Sequence, residues 1–211
     1  MRKKEAPKNN WIYPAVKRAF DLLLALVGSV VSLPLILLGS IAILAEDPTA
    51  GPIFTQERVG KDGKRFIMYK LRTMRGGAED ELKHLLSLNE MDGPAFKIKQ
   101  DPRITGVGRV LRKTYADELP QLWNVLKGDM SLVGPRPPLP GEVERYSDAQ
   151  REKLSVQQGI TCYWQSARGH YSLPFDRWIA MDLKYVRERG IRTDLKILLL
   201  TLGSVLRADG W

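Results

Sequence analysis

The sequence is poor in the residues that build metal centres and covalent cross-links. Cys162 is the only cysteine, so no internal disulfide can form, which fits a reducing compartment. His84 and His170 are the only histidines, they lie far apart, and neither CxxC nor HExxH occurs. A zinc site is therefore not expected. No internal repeat, low-complexity tract or long linker interrupts the 211 residues, a length that suits one compact domain and a membrane element. Acidic residues are also in deficit. Asp and Glu total 24 against 33 Lys and Arg, a net charge of +9. That balance favours anionic partners: nucleic acid, acidic lipid or phosphorylated substrates. The charge is spread along the chain without a zinc finger or an RNP motif, so nucleic acid is not the expected partner.

What is abundant is apolar. Hydrophobic residues make up 44% of the chain. Residues 20–45 form a 26-residue run whose only charge is Asp21. About 20 apolar residues cross a bilayer as a helix, so the run is long enough to span. A cleavable signal peptide fits poorly, because the run is too long and no clear small-x-small site follows. A plain transmembrane anchor is the simplest reading, but two features favour a re-entrant hairpin. Pro34 sits in mid-run, where it breaks or kinks a helix, and Ser32 could bond a freed carbonyl. Residues 1–19 carry a net charge of +5, and so does the chain after the run. Positive flanks prefer the cytoplasm. Both ends on that side require a helix-break-helix turn at Pro34.

Beyond the run, residues 47–52 read as a turn-rich exit, and residues 53–58 and 64–71 as a hairpin around Asp62-Gly63. Residues 78–89 read as a helix. A stripe of Leu119, Leu122, Trp123 and Leu126 predicts another over 117–127, ended by Gly128. Residues 133–141 hold four prolines and two glycines and read as a stiff loop without regular structure. Residues 174–189 read as a helix. Residues 194–207 are apolar with charged ends and too short to span, either a core helix or, as we favour, one lying in the bilayer interface. The expected fold class is mainly α with a small β-hairpin, a monotopic membrane protein with interfacial amphipathic helices. Residues 1–45 would form the basic N-terminus and re-entrant element, and 46–211 a catalytic domain on the cytoplasmic face.

The chemistry concentrates at Asp117-Glu118, just before Leu119-Pro120. Thr114-x-x-Asp117 fits a capping box, and acids in a first turn offset the helix dipole. The same place suits catalysis, because a helix start keeps a carboxylate ionised and its free N–H groups can face a phosphate. Cations surround the pair in sequence: Arg58, Lys70 and Arg72 near the hairpin, Arg109, Arg112 and Lys113 upstream, Arg136 in the proline loop and Arg168 downstream. Arginine forks match phosphate geometry, and a Pro-Arg-Pro setting pre-organises Arg136.

These residues also carry a resemblance. KRAFD (17–21), the central Pro34, IFTQERVG (53–60), YKLRTM (69–74), DPRITGVGRVLRK (101–113), DELPQLWNVLKGDMSLVGPRP (117–137), GIT (159–161), Arg168 and DLKI (194–197) occur in order over nearly the whole chain. The chain resembles the monotopic phosphoglycosyl transferases, bacterial sugar transferases that start surface glycan and exopolysaccharide assembly, in their minimal catalytic form. The resemblance implies that Asp117 attacks the β-phosphorus of a UDP-sugar, releasing UMP. Polyprenyl (undecaprenyl) phosphate then attacks the aspartyl-phosphosugar. It implies that Glu118 helps to hold Mg²⁺, that Arg112, Arg136 and Arg168 contact phosphate or nucleotide, and that Arg58, Lys70 and Arg72 lie on the substrate-binding side. It places the protein among membrane lipids on the cytoplasmic face of the bacterial inner membrane, with self-association allowed. Leu33 stands where the family often has serine, with Ser32 one residue earlier. QGITCYWQSARG (158–169) departs from the usual pattern, with Gln158 for a proline, in a stretch read as touching nucleotide or sugar. Rival readings are a non-catalytic scaffold subunit of a glycan-assembly complex and a transferase without a covalent intermediate.

Overall fold

The computed structural model describes residues 12–167, 173–208 and 210. It is mainly helical, with one small antiparallel hairpin and a short parallel strand pair. The first element, α1 (Ile12–Glu46), is a single 35-residue helix. The expected break at Pro34 does not interrupt it, because Pro34 lies inside the helix. A proline removes one backbone hydrogen bond and bends a helix, while the apolar turns on either side keep theirs. Ser32 also differs from expectation. Its hydroxyl donates to the Ser29 carbonyl at 3.3 Å rather than to the Val30 carbonyl that Pro34 leaves free.

One stripe of α1 faces the rest of the protein along most of its length. Asp21, Ala25, Ser32, Gly39 and Ile43 are buried on it, at the three-to-four-residue spacing of a helix face. Gly39 is needed there, because a Cβ would stand 3.0 Å from a Leu71 methyl. Asp21, the lone charge of the run, is docked and not left in an apolar environment. It accepts from the Ser131 hydroxyl at 2.7 Å and the Leu132 amide at 3.2 Å. Arg18 donates to the carbonyls of Val125 and Leu126 at 2.6 and 3.0 Å, and Lys17 donates to Asp194 at 3.0 Å. At the far end, Glu46 accepts the amides of Gly106 and Val107 at 2.7 and 2.9 Å. The opposite face is bare hydrocarbon. Leu23, Val30, Val31, Leu38 and Ile41 are all at least 60% exposed.

The hairpin pairs β1 (Ile53–Val59) with β2 (Arg65–Leu71) in antiparallel register, turning through Asp62 and Gly63, both at positive φ. Helix α2 (Ala78–Leu85) follows, extended by a 3₁₀ turn at Leu86–Leu88. Next come α3 (Gly106–Lys113), a 3₁₀ turn at Ala116–Glu118, and α4 (Gln121–Lys127), which ends at Gly128 with φ 91°. Strand β3 (Ser131–Val133) enters the proline loop, and α5 (Pro140–Glu144) leaves it, so the ends of that loop are regular structure after all. After α6 (Asp148–Arg151), β4 (Gly159–Thr161) pairs in parallel with β3. Helices α7 (Phe175–Glu188) and α8 (Ile191–Leu206) complete the chain. Six elements meet in the main core through Ala25, Met68, Val125, Val133, Tyr185 and Ile197. Helix α8 buries Ile197 but leaves Leu199, Leu202 and Leu206 more than half exposed, a second bare apolar face.

Candidate active site

Asp117 and Glu118 do not open a regular helix. They occupy the 3₁₀ turn between α3 and α4. The turn starts at Tyr115, whose φ of 59° is a left-handed conformation rare outside glycine and most often kept at functional sites. Thr114 does not form the expected capping box with this turn. Its hydroxyl donates back to the carbonyls of Val110 and Leu111 and closes α3 instead.

The reversal at Tyr115 aims both carboxylates at β2. Lys70 Nζ lies 2.6 Å from Glu118 Oε1 and 3.6 Å from Asp117 Oδ2. Asn124 fixes this distance. Buried completely in α4, its side-chain oxygen accepts the Tyr69 amide at 3.1 Å and its amide donates to the Ile67 carbonyl at 2.6 Å. The side chain thus reads β2 as another strand would, and it locks the helix after the acids onto the strand that carries Lys70.

Arg112 arrives from the other side. Its Nε donates to the Thr73 hydroxyl at 2.9 Å. Helix α3 comes this close because residue 108 is glycine; a Cβ there would stand 2.1 Å from the Thr73 carbonyl oxygen. The Thr105 amide donates to that same carbonyl at 3.1 Å.

Electrostatics follow from burial. Asp117 is 7% exposed, and desolvation pushes its carboxyl up to about 6. Lys70 opposes that rise most strongly, Glu118 adds to it, and Arg112 opposes it more weakly. At neutral pH Asp117 is therefore mostly ionised, yet less stabilised by water than a surface carboxylate.

The other cations divide. Arg58 is buried and donates to the Pro137 carbonyl at 2.9 Å and to Gln56 Oε1 at 2.5 Å, tying the hairpin to the proline loop. Burial and the charge of Arg136 lower its proton affinity. Arg136 is half-buried and lines a small cavity with Glu142, Lys153 and Asp182 among aromatic side chains. Arg72 donates to the Gly51 carbonyl at 2.7 Å, lies over the Phe54 ring of β1 and pairs with Glu79 of α2 at 3.9 Å. Arg168 lies outside the described residues. The stretch around 158–164 faces inward. Gln158 is fully buried and bonds the carbonyls of Lys153 and Val156, Cys162 is fully buried, and Trp164 stacks on Trp178 at 4.4 Å. Gln158 thus braces the core.

Among the described residues no group of three or more His, Cys, Asp or Glu side chains is placed to hold a metal. Asp117 and Glu118 offer two carboxylates on one cleft, and together they already draw the ammonium of Lys70. Magnesium is commonly held by one or two carboxylates plus substrate phosphate oxygens, so this donor set fits it.

Residues 12–208 match the family model described as bacterial sugar transferase. The chain belongs to this family. A galactosyl transferase of Streptococcus agalactiae serotype III is 45% identical over 198 residues, covering 92% of this chain and 43% of that protein. An undecaprenyl-phosphate galactose phosphotransferase of Salmonella typhimurium is 40% identical, with 92% and 41% covered. An exopolysaccharide production protein of Sinorhizobium fredii is 36% identical, with 92% and 87% covered. The chain spans about two fifths of the length of the first two and most of the third. The sequence pointed to Lys70, Arg112 and the acid pair, and the structure gathers these four. It adds Thr73, Gly108, Tyr115 and Asn124 as the residues that hold them. Thr73, Gly108 and Asn124 lie inside the blocks YKLRTM, DPRITGVGRVLRK and DELPQLWNVLKGDMSLVGPRP without having been singled out, and Tyr115 lies between two of them.

Proposed function

We propose that this sugar transferase family member moves a sugar 1-phosphate from a UDP-sugar to polyprenyl phosphate through an aspartyl-phosphosugar on Asp117. The observation that carries the reading is a buried carboxylate whose charge is offset by Lys70 and Arg112. In the first half-reaction an Asp117 oxygen forms a bond to the β-phosphorus. The bond from that phosphorus to the α,β-bridging oxygen breaks, and UMP departs with the electron pair. In the second, a phosphate oxygen of the lipid attacks the same phosphorus and the Asp117 carboxylate leaves. Attacking and leaving groups are all anions, so no proton transfer is required. The demand is placement and charge neutralisation. Lys70 and Arg112 supply fixed positive charge. Glu118, with Asp117, would hold Mg²⁺, which when bound would neutralise the donor diphosphate.

The site needs a water-soluble donor and a membrane acceptor. We place it on the cytoplasmic face of the bacterial inner membrane, with α1 dipping into the bilayer and returning, bent at Pro34 rather than broken. Two facts support this monotopic arrangement. Contacts with the body of the protein run from Lys17 to Glu46, which an upright spanning helix would lose. The opposite face of α1 is bare apolar surface. By this reading residues 1–45 form the membrane element and 46–211 the catalytic domain, with α8 at the interface.

The test is intact mass measurement after incubation with donor alone, beginning with UDP-galactose because two relatives are named for galactose. A covalent adduct of one phosphosugar, absent in Asp117→Asn, is expected. Lipid-linked product made with normal turnover by Asp117→Asn would overturn the assignment.

A further inference from the structure

A cavity of about 810 Å³ opens between the first turns of α1, the α7–α8 junction and the tip of the hairpin. Its walls are positive, with Lys17, Arg18, Lys61, Arg189 and Arg192 set against Asp21 and Glu188. Three of these residues are committed to docking α1. Lys17 and Arg18 bond Asp194 and the end of α4, and Asp21 bonds β3. Two are not. Lys61 and Arg192 are exposed, and their side chains make no hydrogen bond or ion pair among the described residues. Arg189 gives one Nη1 hydrogen to the Val186 carbonyl and keeps its other donors for a ligand. The rim is apolar. Ile12 and Val16, 68% and 44% exposed, continue the bare face of α1 into the cavity mouth.

Unspent cations beside an apolar rim, at the place where a hydrophobic helix begins, match an amphiphile with an anionic head. We infer that this cavity binds the headgroup phosphate of an anionic membrane phospholipid. Charge argues against the chain's own N-terminus as occupant. Residues 1–11 carry Arg2, Lys3, Lys4 and Lys8 against Glu5, the same sign as the cavity. A free phosphate would leave the apolar rim unused. The site is also distinct from the proposed acceptor site. The turn of α1 that packs beneath Lys70 and Arg112 is at Gly39, against Leu71 and Leu111. From Asp21 to Gly39 the helix runs about 27 Å at 1.5 Å per residue. A lipid seated in the cavity braces α1 against α7 and α8. It rests on the reading that the chain is membrane-bound, but not on the aspartyl chemistry.

The full chain in a neutral detergent is titrated with dioleoyl phosphatidylglycerol, dioleoyl phosphatidylcholine and glycerol 3-phosphate, following Tm. A ligand that binds only the folded state raises Tm in a saturable, concentration-dependent way. Phosphatidylglycerol is expected to do so and the other two are not. Each cation near an anionic lipid surface contributes roughly a factor of five in binding, so Lys61→Gln with Arg192→Gln is expected to weaken the response about 30-fold. Both residues are exposed, so folding is preserved, and Arg145→Gln, at the residue that follows α5, serves as the unaffected control. Equal stabilisation by phosphatidylcholine overturns the proposal. So does saturation by glycerol 3-phosphate, or an unchanged response in the double variant. Reconstitution into pure phosphatidylcholine vesicles tests membrane association separately from headgroup choice.

Discussion

Asp182 and Asp117 are both buried aspartates beside lysines, and their difference bears on which carboxylate can react. Asp182 on α7 lies 2.5 Å from Lys153, and both side chains are at most 5% exposed. Aromatic residues Tyr146, Trp164 and Phe175 close around them. Asp117 lies 3.6 Å from Lys70, which is shared with Glu118 and is 24% exposed. Desolvation raises the pKa of both acids, and lysine opposes the rise in both. The core lysine serves one acid, and the pair lines only a small cavity that it shares with Arg136. The Asp117 cation is divided between two acids, and Lys70 and Glu118 stay partly exposed beside it. Burial plus a lysine does not by itself mark a nucleophile; what sets Asp117 apart is a partly exposed lysine shared with the adjacent acid.

Charge-removing substitutions at the two acids should therefore have opposite consequences. Asp117→Asn is expected to lower UMP release by at least about 10³-fold, since it removes the attacking group. Its Tm at neutral pH should not fall. A carboxyl whose folded pKa is raised contributes stability that is present below its unfolded pKa and lost as pH rises through about 6, so the ionised form is a liability that Asn removes. Asp182→Asn should instead leave Lys153 buried and uncompensated, a loss of roughly 3–5 kcal/mol. That corresponds to a Tm drop on the order of 10 °C for a domain of this size. Its turnover per folded molecule should stay within about threefold of the parent, because a purely structural pair adds nothing to the chemical step. Comparable activity losses in the two variants would erase the distinction.

Lys70→Met sharpens it next. With Lys70 present, Asp117 titrates near 6, so kcat/KM should rise with pH through that value and fall about tenfold per unit below it. Without the ammonium, the term that most opposes desolvation is gone, and the inflection should move upward. Activity at pH 7 should drop by about 10²-fold, as for loss of one charge-stabilising donor. An unmoved inflection would show that Lys70 does not set the charge of Asp117.

How much of this was readable beforehand follows from the range of the interactions. The hairpin was legible because its turn is local, Asp62-Gly63 between two short apolar runs. The acids were legible because DELPQLW places them against a helix start. The β3–β4 pair was not, since two three-residue strands separated by 25 residues leave no periodic signal. Pro34 was legible only in part, because sequence reports the missing hydrogen bond and not the packed stripe of residues on either side of it. Lys153–Asp182 was invisible for a different reason. Neither residue lies in a motif, and only the closing of α7 on the preceding loop brings them together.

A smaller effect is expected at Glu118, which shares the lysine but is less buried than Asp117. Glu118→Gln should weaken the response to added Mg²⁺ and reduce turnover by about 10- to 100-fold, the usual range for a residue supporting a metal. An unchanged Mg²⁺ titration would remove Glu118 from the metal.

The smallest expected change is at Thr73, which touches no substrate. Its hydroxyl accepts from Arg112 Nε, while its carbonyl accepts from Thr105 and lies against Gly108. Thr73→Val keeps the shape and the backbone contacts and removes only the hydroxyl. The guanidinium then loses one restraint in a buried setting, a loss of about 1–2 kcal/mol of orientation. If Arg112 acts on the donor phosphates, that loss should appear as a fall of about five- to tenfold in kcat/KM for the UDP-sugar. Thr73→Ser should recover it, with Tm nearly constant across the three proteins. A fall in Tm without a kinetic change would mean that Thr73 holds α3 to β2 and nothing more. The comparison with Asp182 would then extend to Arg112, whose charge would belong to the scaffold and not to the reaction.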